Sequence, residues 1–526
     1  MRIFQFSNNK HGEKIDVVIS RKLVLVNMAS SVFTQVFSVA VLIWLQPYLL
    51  KRISPEEYSL LPVVTSIMGF APLISALFIS GIGRFLVEAY AEGKAEEVTN
   101  IFSSIMPVIA IIGLIILVAG TGFSFRIDSF INVSREYRSD AMLMMLLLVG
   151  AFVINFWSMP FFAGFAIKQA FVLQNFISCL VELLRLSLLL FLILGLGAHV
   201  IWVVVAYFVS MLIGSAAKVF VSKKLVPQLK IKKNQIDFKR IKKIFSFGSW
   251  MFVGQIAEQI RKCAQPIMLN WWSTPLDVAN FHLGSLFNRQ LDNFLPLLLQ
   301  PLQPVLIALY VKRDITQLKY LFFSVNKYLM WMLSLIMIPL FLFGEKIFMA
   351  YVGPNFMLAA HIMALLIISK IIELSLYMIW RIAPAVNQIR RISMLSLIMQ
   401  VVNIILSFVL IKYYSLGAVG SAIAVCCSII IGSLFLILPI SRDIVRFSVY
   451  EWLKNTLIPG CLPAVWTAII WYAIFYYKHG SAASILLGSL IAIPFYFLIC
   501  FFCMNNQDKL IISQFIRSNF TNIFKN

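Results

Sequence analysis

The chain has 526 residues, of which 61% are hydrophobic and only 13% charged, and its mean hydropathy is +0.90. A soluble protein cannot hold such a surface in water. The formal net charge of +22 would point to nucleic acid in a soluble protein. Here the basic residues lie between apolar runs, the arrangement that encodes membrane topology, so no nucleic-acid partner is expected.

Apolar runs of about 20 residues, each long enough to cross the hydrocarbon core, recur from end to end. In chain order they cover 23–50, 59–83, 99–123, 141–165, 171–194, 200–221, 244–272, 278–311, 320–343, 356–380, 392–411, 418–440, 457–477 and 482–503. Lipid cannot satisfy open backbone groups and nothing alternates like a barrel strand, so an all-α integral membrane protein of about fourteen helices is expected. The first run is too long for a signal-peptide core, and apolar sequence continues past its small-residue stretch Ser38-Val39-Ala40. It reads as a first transmembrane helix.

Alternate loops fall on opposite sides of the bilayer. One side carries both termini and the basic stretch 222–243; the other holds only Lys51, Arg52, Arg126, Arg135, Arg138, Lys346, Lys412 and Lys478 among the loop cations. This asymmetry predicts cytoplasmic termini and an even number of spans.

The connector 222–243, with KIKK at 230–233 and KRIKK at 239–243, separates six spans from eight. It reads as a topology anchor against anionic lipid, or as an attractor for an anionic substrate. The two sides resemble each other locally. QPYLL at 46–50 is followed by Ser54-Pro55, and QPIML at 265–269 is followed by Ser273-Thr274-Pro275. The predicted organisation is a six-helix lobe at 1–221, the connector at 222–243, a pseudo-symmetric six-helix lobe at 244–440, and two added helices with a tail at 441–526.

Charges inside the spans are the chemistry-bearing feature. An ionised side chain at the bilayer centre costs at least about 2.5–3.5 kcal/mol, so these residues are expected to face protein or a wet cavity. They fall at i,i+3, on one helix face: Glu182/Arg185, Glu258/Arg261, Arg289/Asp292 and Lys370/Glu373, with Arg84 and Glu88 repeating the pattern at i,i+4 beside the second span. Local charge neutralisation explains such pairs, and ion coupling is the alternative. Lys262 lacks a matching carboxylate on this count.

Arg261 and Arg289 lie equally far from the short connector that joins their spans, about 16 Å into the membrane. Arg261, Lys262 and Arg289 are therefore predicted to converge on one anionic guest, with Glu258 and Asp292 tempering the positive charge. The amides of Gln46 and Gln265, like those of Gln35, Gln255, Gln259, Asn288, Gln300 and Gln303, suit sugar hydroxyls or interhelical hydrogen bonds. Pro47, Pro266, Pro301 and Pro304 are expected to bend their helices. Trp271, Trp272 and Trp380 read as interface anchors. The seven cysteines all lie in apolar runs, Cys500-x-x-Cys503 has no partner motif, and the five histidines show no ligand spacing. No metal, cofactor or catalytic residue is expected.

The stretch YLLKRISPEEY at 48–58, the GIGR ending of the second span at 81–84 and AYAEGK at 89–94 resemble the polysaccharide-transporter branch of the multidrug/oligosaccharidyl-lipid/polysaccharide exporter superfamily, which includes O-antigen flippases of the Wzx type. The resemblance implies a flippase of the bacterial inner membrane. Such a protein moves undecaprenyl-diphosphate-linked oligosaccharide, an O-antigen or similar repeat unit of lipopolysaccharide or another surface polysaccharide, by alternating access. It also admits a glycan polymerase and a chain-length regulator as partners. Proton-coupled drug exporters of the superfamily often carry an acidic residue in the first span, and 23–50 has none. A cation-coupled exporter of another amphiphile, a drug or a peptidoglycan lipid precursor, is the alternative. A membrane enzyme is disfavoured because the longest loop on the side opposite the termini is 124–140.

Overall fold

In the computed structural model, residues 21–232, 249–299, 302–386, 388–477, 482–504 and Lys509 are described. Helices fill nearly all of them, and there is no strand among the described residues. In chain order they are α1 Arg21–Leu50, α2 Pro55–Met68, α3 Pro72–Ala91, α4 Ala95–Ser124, α5 Arg138–Ser158, α6 Ala163–Ile167, α7 Phe171–Leu196, α8 Ile201–Leu225, α9 Ser249–Trp272, α10 Pro275–Gly284 and α11 Leu286–Leu299. There follow α12 Gln303–Val311, α13 Ile315–Tyr351, α14 Met357–Leu376, α15 Ile379–Ala385, α16 Ile389–Phe408, α17 Gly417–Gly432, α18 Leu438–Val445, α19 Val449–Trp452, α20 Ile458–Tyr477 and α21 Ala482–Phe502.

Among the described residues, eleven helical stretches are long and apolar enough to cross a membrane. They correspond to the first six expected spans and to the ninth through thirteenth. The seventh is the helix α9, which carries Glu258, Arg261 and Lys262, and the described part of the eighth is divided among α10, α11 and α12. The fourteenth is the apolar helix α21, Ala482–Phe502. The all-α membrane fold therefore holds, and the remaining expected spans, the seventh, eighth and fourteenth, are also helical among the described residues.

Several expected spans differ from a single rod, and two of the interruptions lie beside the charged helices. The second is interrupted at Gly69–Ala71, between α2 and α3; the eighth is interrupted at Ser285, between α10 and α11. Both interruptions have a glycine in close contact with another helix. A Cβ on Gly69 would lie 2.3 Å from Cys263 Sγ, and one on Gly284 would lie 2.6 Å from the Ala359 carbonyl oxygen. Small residues at such points let helices approach where no hydrophobic drive separates them from lipid.

The local sequence repeat has a structural counterpart. Ser54 caps α2 by accepting from the Glu57 N–H at 3.1 Å, and Pro55 opens the first turn. Thr274 caps α10 by accepting from the Asp277 N–H at 3.2 Å, and Pro275 opens that turn. In each, a hydroxyl satisfies an orphan donor and a carboxylate complements the positive end of the helix dipole. Pro47 and Pro266 both lie inside their helices, about one turn and about two turns before the end.

The chain divides into two compact units. The first comprises 1–300, 351–362 and 389–424. Its aromatic core joins α3, α4, α5 and the short turn before α6: Phe78 meets Phe156 edge-on at 5.7 Å, and Phe102 meets Phe161 at 4.9 Å. The start of the basic connector lies along α4, where Thr99 donates to the Gln228 carbonyl at 3.0 Å and Ser103 accepts from the Lys232 N–H at 2.9 Å. Residues 233–243, which complete both basic runs, lie outside the described residues.

One end of α9 is clasped to the loop between α4 and α5. Asn132 donates its backbone N–H to Asn270 Oδ1 and its side-chain amide to the Asn270 carbonyl, both at 2.9 Å. Asn270 returns a bond to the Asn132 carbonyl at 3.0 Å. Trp271 donates its indole N–H to the Phe130 carbonyl at 2.7 Å, so the expected interface anchor is also a tertiary contact.

The second unit comprises 301–350, 363–388 and 425–526. Trp331 of α13 donates to the Pro459 carbonyl at 2.8 Å, and Ser334 bonds Tyr496 of α21 at 2.7 Å. Where α14 gives way to α15, Asn326 Oδ1 accepts the Met378 N–H at 2.8 Å and so satisfies the interrupted backbone. An apolar cavity of about 240 Å³ lies among α13, α14 and α20, lined in part by Met337, Ile368 and Ala464, with no charged side chain.

Candidate functional site

Helix α9 begins apolar and then presents Glu258, Arg261 and Lys262 within two turns. Its neighbours are α2, α3, α10 and α16. One residue beyond Lys262, Cys263 fills the space at the α2–α3 interruption beside Gly69. On the following hairpin, the interruption at Ser285 precedes Arg289 by one turn. The charges of α9 and α11 therefore accompany two broken helices. Such interruptions are tolerated at membrane depth where protein or a wet cavity surrounds them.

Four charges form one connected group. Arg261 Nη2 donates to both carboxylate oxygens of Glu258 at 2.9 Å, and its Nε reaches Oε2 at 3.2 Å. Lys262 Nζ lies 3.1 Å from Glu258 Oε1. From the other side, Arg261 Nη1 donates to Asp292 Oδ2 of α11 at 2.7 Å. Two cations and two anions of the described residues meet here. Glu258 is 35% exposed and Lys262 32%, whereas Asp292 is 9% exposed.

The Asp292 contact differs from the i,i+3 pair expected with Arg289. Across the hairpin, the carboxylate turns to Arg261 instead. Arg289 donates to the carbonyl oxygen of His282 at 2.8 Å, and its Nη1 lies 3.1 Å from His282 Nδ1. The His282 ring meets Tyr58 edge-on at 6.0 Å, and the buried Tyr58 hydroxyl donates to Gln46 Oε1. Cys263 lies within electrostatic reach of Glu258, Lys262 and Arg289 alike. Hence Lys262 shares a carboxylate with Arg261, and among the described residues Arg289 is held by the carbonyl oxygen and ring nitrogen of His282 rather than by a carboxylate. The cation without a carboxylate among them sits one helix away from where residue spacing placed it.

The two glutamines take structural positions. Gln46 is bonded to Tyr58, and Gln265 is buried against α16, donating to Asn403 at 3.3 Å and Ser407 at 2.9 Å. Glu182 and Arg185 pair within α7, and Lys370 and Glu373 pair within α14 at 2.8 Å. Glu88 also has a bonding or electrostatic partner, while the Arg84 side chain lies outside the described residues.

His282 and Tyr58 escaped the reading of spacing. The available signal was His282 at i,i+7 from Arg289, two turns away along one face. All seven cysteines are free, and there is no cluster of three metal-ligating side chains among the described residues.

Residues 20–308 match the model of a family described as polysaccharide biosynthesis protein. The chain is 22% identical over 507 residues to the Bacillus subtilis (strain 168) protein EpsK, described as an uncharacterized membrane protein, covering 93% of this chain and 97% of that one. Among solved structures, the lipid II flippase MurJ in an inward closed conformation matches with a TM-score of 0.69 at 15% identity, covering 90% of this chain and 98% of MurJ. An inward-facing multidrug resistance MATE family transporter of the MOP superfamily matches with a TM-score of 0.64 at 14% identity, covering 78% of this chain and 95% of that one. At such identities the solved structures speak to fold alone.

Proposed function

Because the chain belongs to the polysaccharide biosynthesis protein family, as a multi-pass membrane transporter, we propose that it flips a polyprenyl-diphosphate-linked oligosaccharide across the bacterial inner membrane. The cargo on this reading is an undecaprenyl-linked repeat unit of O-antigen or a similar surface polysaccharide. Both termini are cytoplasmic, and the lobes at 1–221 and 244–440 alternate access to the two leaflets. Arg261, Lys262 and Arg289 contact the diphosphate, and Glu258 and Asp292 limit how tightly it is held.

The observation that carries this reading is Arg289. It is a guanidinium in an apolar bundle whose partners among the described residues are the carbonyl oxygen and ring nitrogen of His282, beside the charges of Glu258, Arg261, Lys262 and Asp292. A buried cation without a carboxylate favours an anionic guest. Arg also offers a planar fork of donors suited to phosphate.

Complementation of a strain lacking the gene tests the reading. Wild type restores surface glycan, and Arg289→Ala, with normal membrane levels, does not. Full restoration by Arg289→Ala would refute the role of this residue. Altered drug tolerance with unchanged glycan on deletion would instead favour an exporter of another amphiphile.

A further inference from the structure

The guanidinium of Arg261 has two occupied sides. Nη1 points to Asp292, a mostly buried carboxylate on another helix. The Nε/Nη2 edge faces Glu258, one turn earlier on the same helix and 35% exposed. That edge is the fork on which a carboxylate or a phosphate is bound through two parallel hydrogen bonds. Glu258 also holds the ammonium of Lys262. A single carboxylate thus fills the positions that two oxygens of a phosphate group would take on Arg and Lys.

We propose that Glu258 is an internal substitute for the cargo's phosphate, an exchangeable counter-ion that an arriving headgroup displaces from Arg261 and Lys262. Asp292 stays in place and holds the guanidinium in orientation. The inference rests on the flippase reading of this site and adds a division of labour between its two carboxylates.

Three features support it. Glu258 occupies donors of both Arg261 and Lys262, so a headgroup reaches those donors only when this carboxylate withdraws. Glu258 is the more exposed of the two and sits on the same helix as both cations, so it can leave without separating α9 from α11. Its competition also explains how a site with three cations releases a polyanion: the carboxylate returns as the headgroup departs.

The test measures farnesyl diphosphate binding to the purified full-length protein in detergent, with farnesol as the uncharged control. Glu258→Gln, nearly isosteric, is expected to bind the diphosphate about tenfold more tightly than wild type, with farnesol unaffected. Glu258→Ala is expected to do the same, and Glu258→Gln carries the measurement if the alanine variant is not monodisperse. In Arg261→Lys the gain from Glu258→Gln shrinks, because the planar fork is gone. Transport by Glu258→Gln slows as release becomes limiting. Wild-type binding with no tightening in Glu258→Gln would overturn the exchange proposal alone. Absence of diphosphate binding in both proteins would overturn the anion site together with the proposal.

Discussion

The middle and the end of α9 are built from opposite materials. Near its C-terminus, Asn270 and Asn132 satisfy one another with neutral amide and backbone groups, and Asn270 is buried. In the middle, Glu258, Arg261 and Lys262 keep part of their surface open. Neutral reciprocal hydrogen bonds can be buried at small cost because every donor finds an acceptor. Charges cannot be dried out so cheaply, even when paired. The end of the helix is thus suited to closing against a loop, and the middle to meeting a charged guest.

The largest effect expected on breaking this contrast is at Arg261. Arg261→Ala leaves the mostly buried Asp292 without its guanidinium, a loss of about 3–5 kcal/mol in comparable buried pairs. Thermal unfolding in detergent would show it as a lowered midpoint. The paired change Arg261→Met with Asp292→Leu is expected to recover stability but not transport, which separates folding from function.

Asn270→Ala comes next, at about 1–3 kcal/mol for the Asn132 groups it leaves unsatisfied. Faster amide exchange at residues 130–132 would report it, with diphosphate binding unchanged. A change in binding instead would blur the distinction between the two regions. Gly69→Ala is expected to cost about 1 kcal/mol or more through the clash with Cys263, and Cys263→Ala to relieve it in the double variant. The smallest effect is at Gln265→Leu, about 0.6–1.7 kcal/mol for lost interhelical hydrogen bonds. Surface glycan should persist, and its loss would return Gln265 to the binding site.

Much of this arrangement was legible in the amino acids. Apolar length located the spans, and charges that lipid would not tolerate marked α9 and α11. The pairs Glu182/Arg185, Glu258/Arg261 and Lys370/Glu373 followed from helical periodicity. Periodicity failed at Asp292, because residue spacing describes one helix and cannot rank a partner on the next. The same limitation hid His282 and Tyr58, whose link to Arg289 depends on how three helices meet. The interruptions at Gly69–Ala71 and Ser285 were missed because hydropathy averages over a turn, whereas a glycine pressed against a neighbour acts at one point. Gln46 and Gln265 show the reverse limit: an amide's chemistry suits sugar and helix partners equally, and in this structure both side chains are buried against Tyr58, Asn403 and Ser407.

Leaflet transfer in proteoliposomes addresses the central claim most directly. A labelled polyprenyl-diphosphate oligosaccharide placed in one leaflet would be followed by a membrane-impermeant probe of the other, with wild type and Arg289→Ala at equal reconstitution. Transfer by wild type and its loss in Arg289→Ala is the predicted result. Equal transfer by both proteins, or none by an intact wild type, would contradict it.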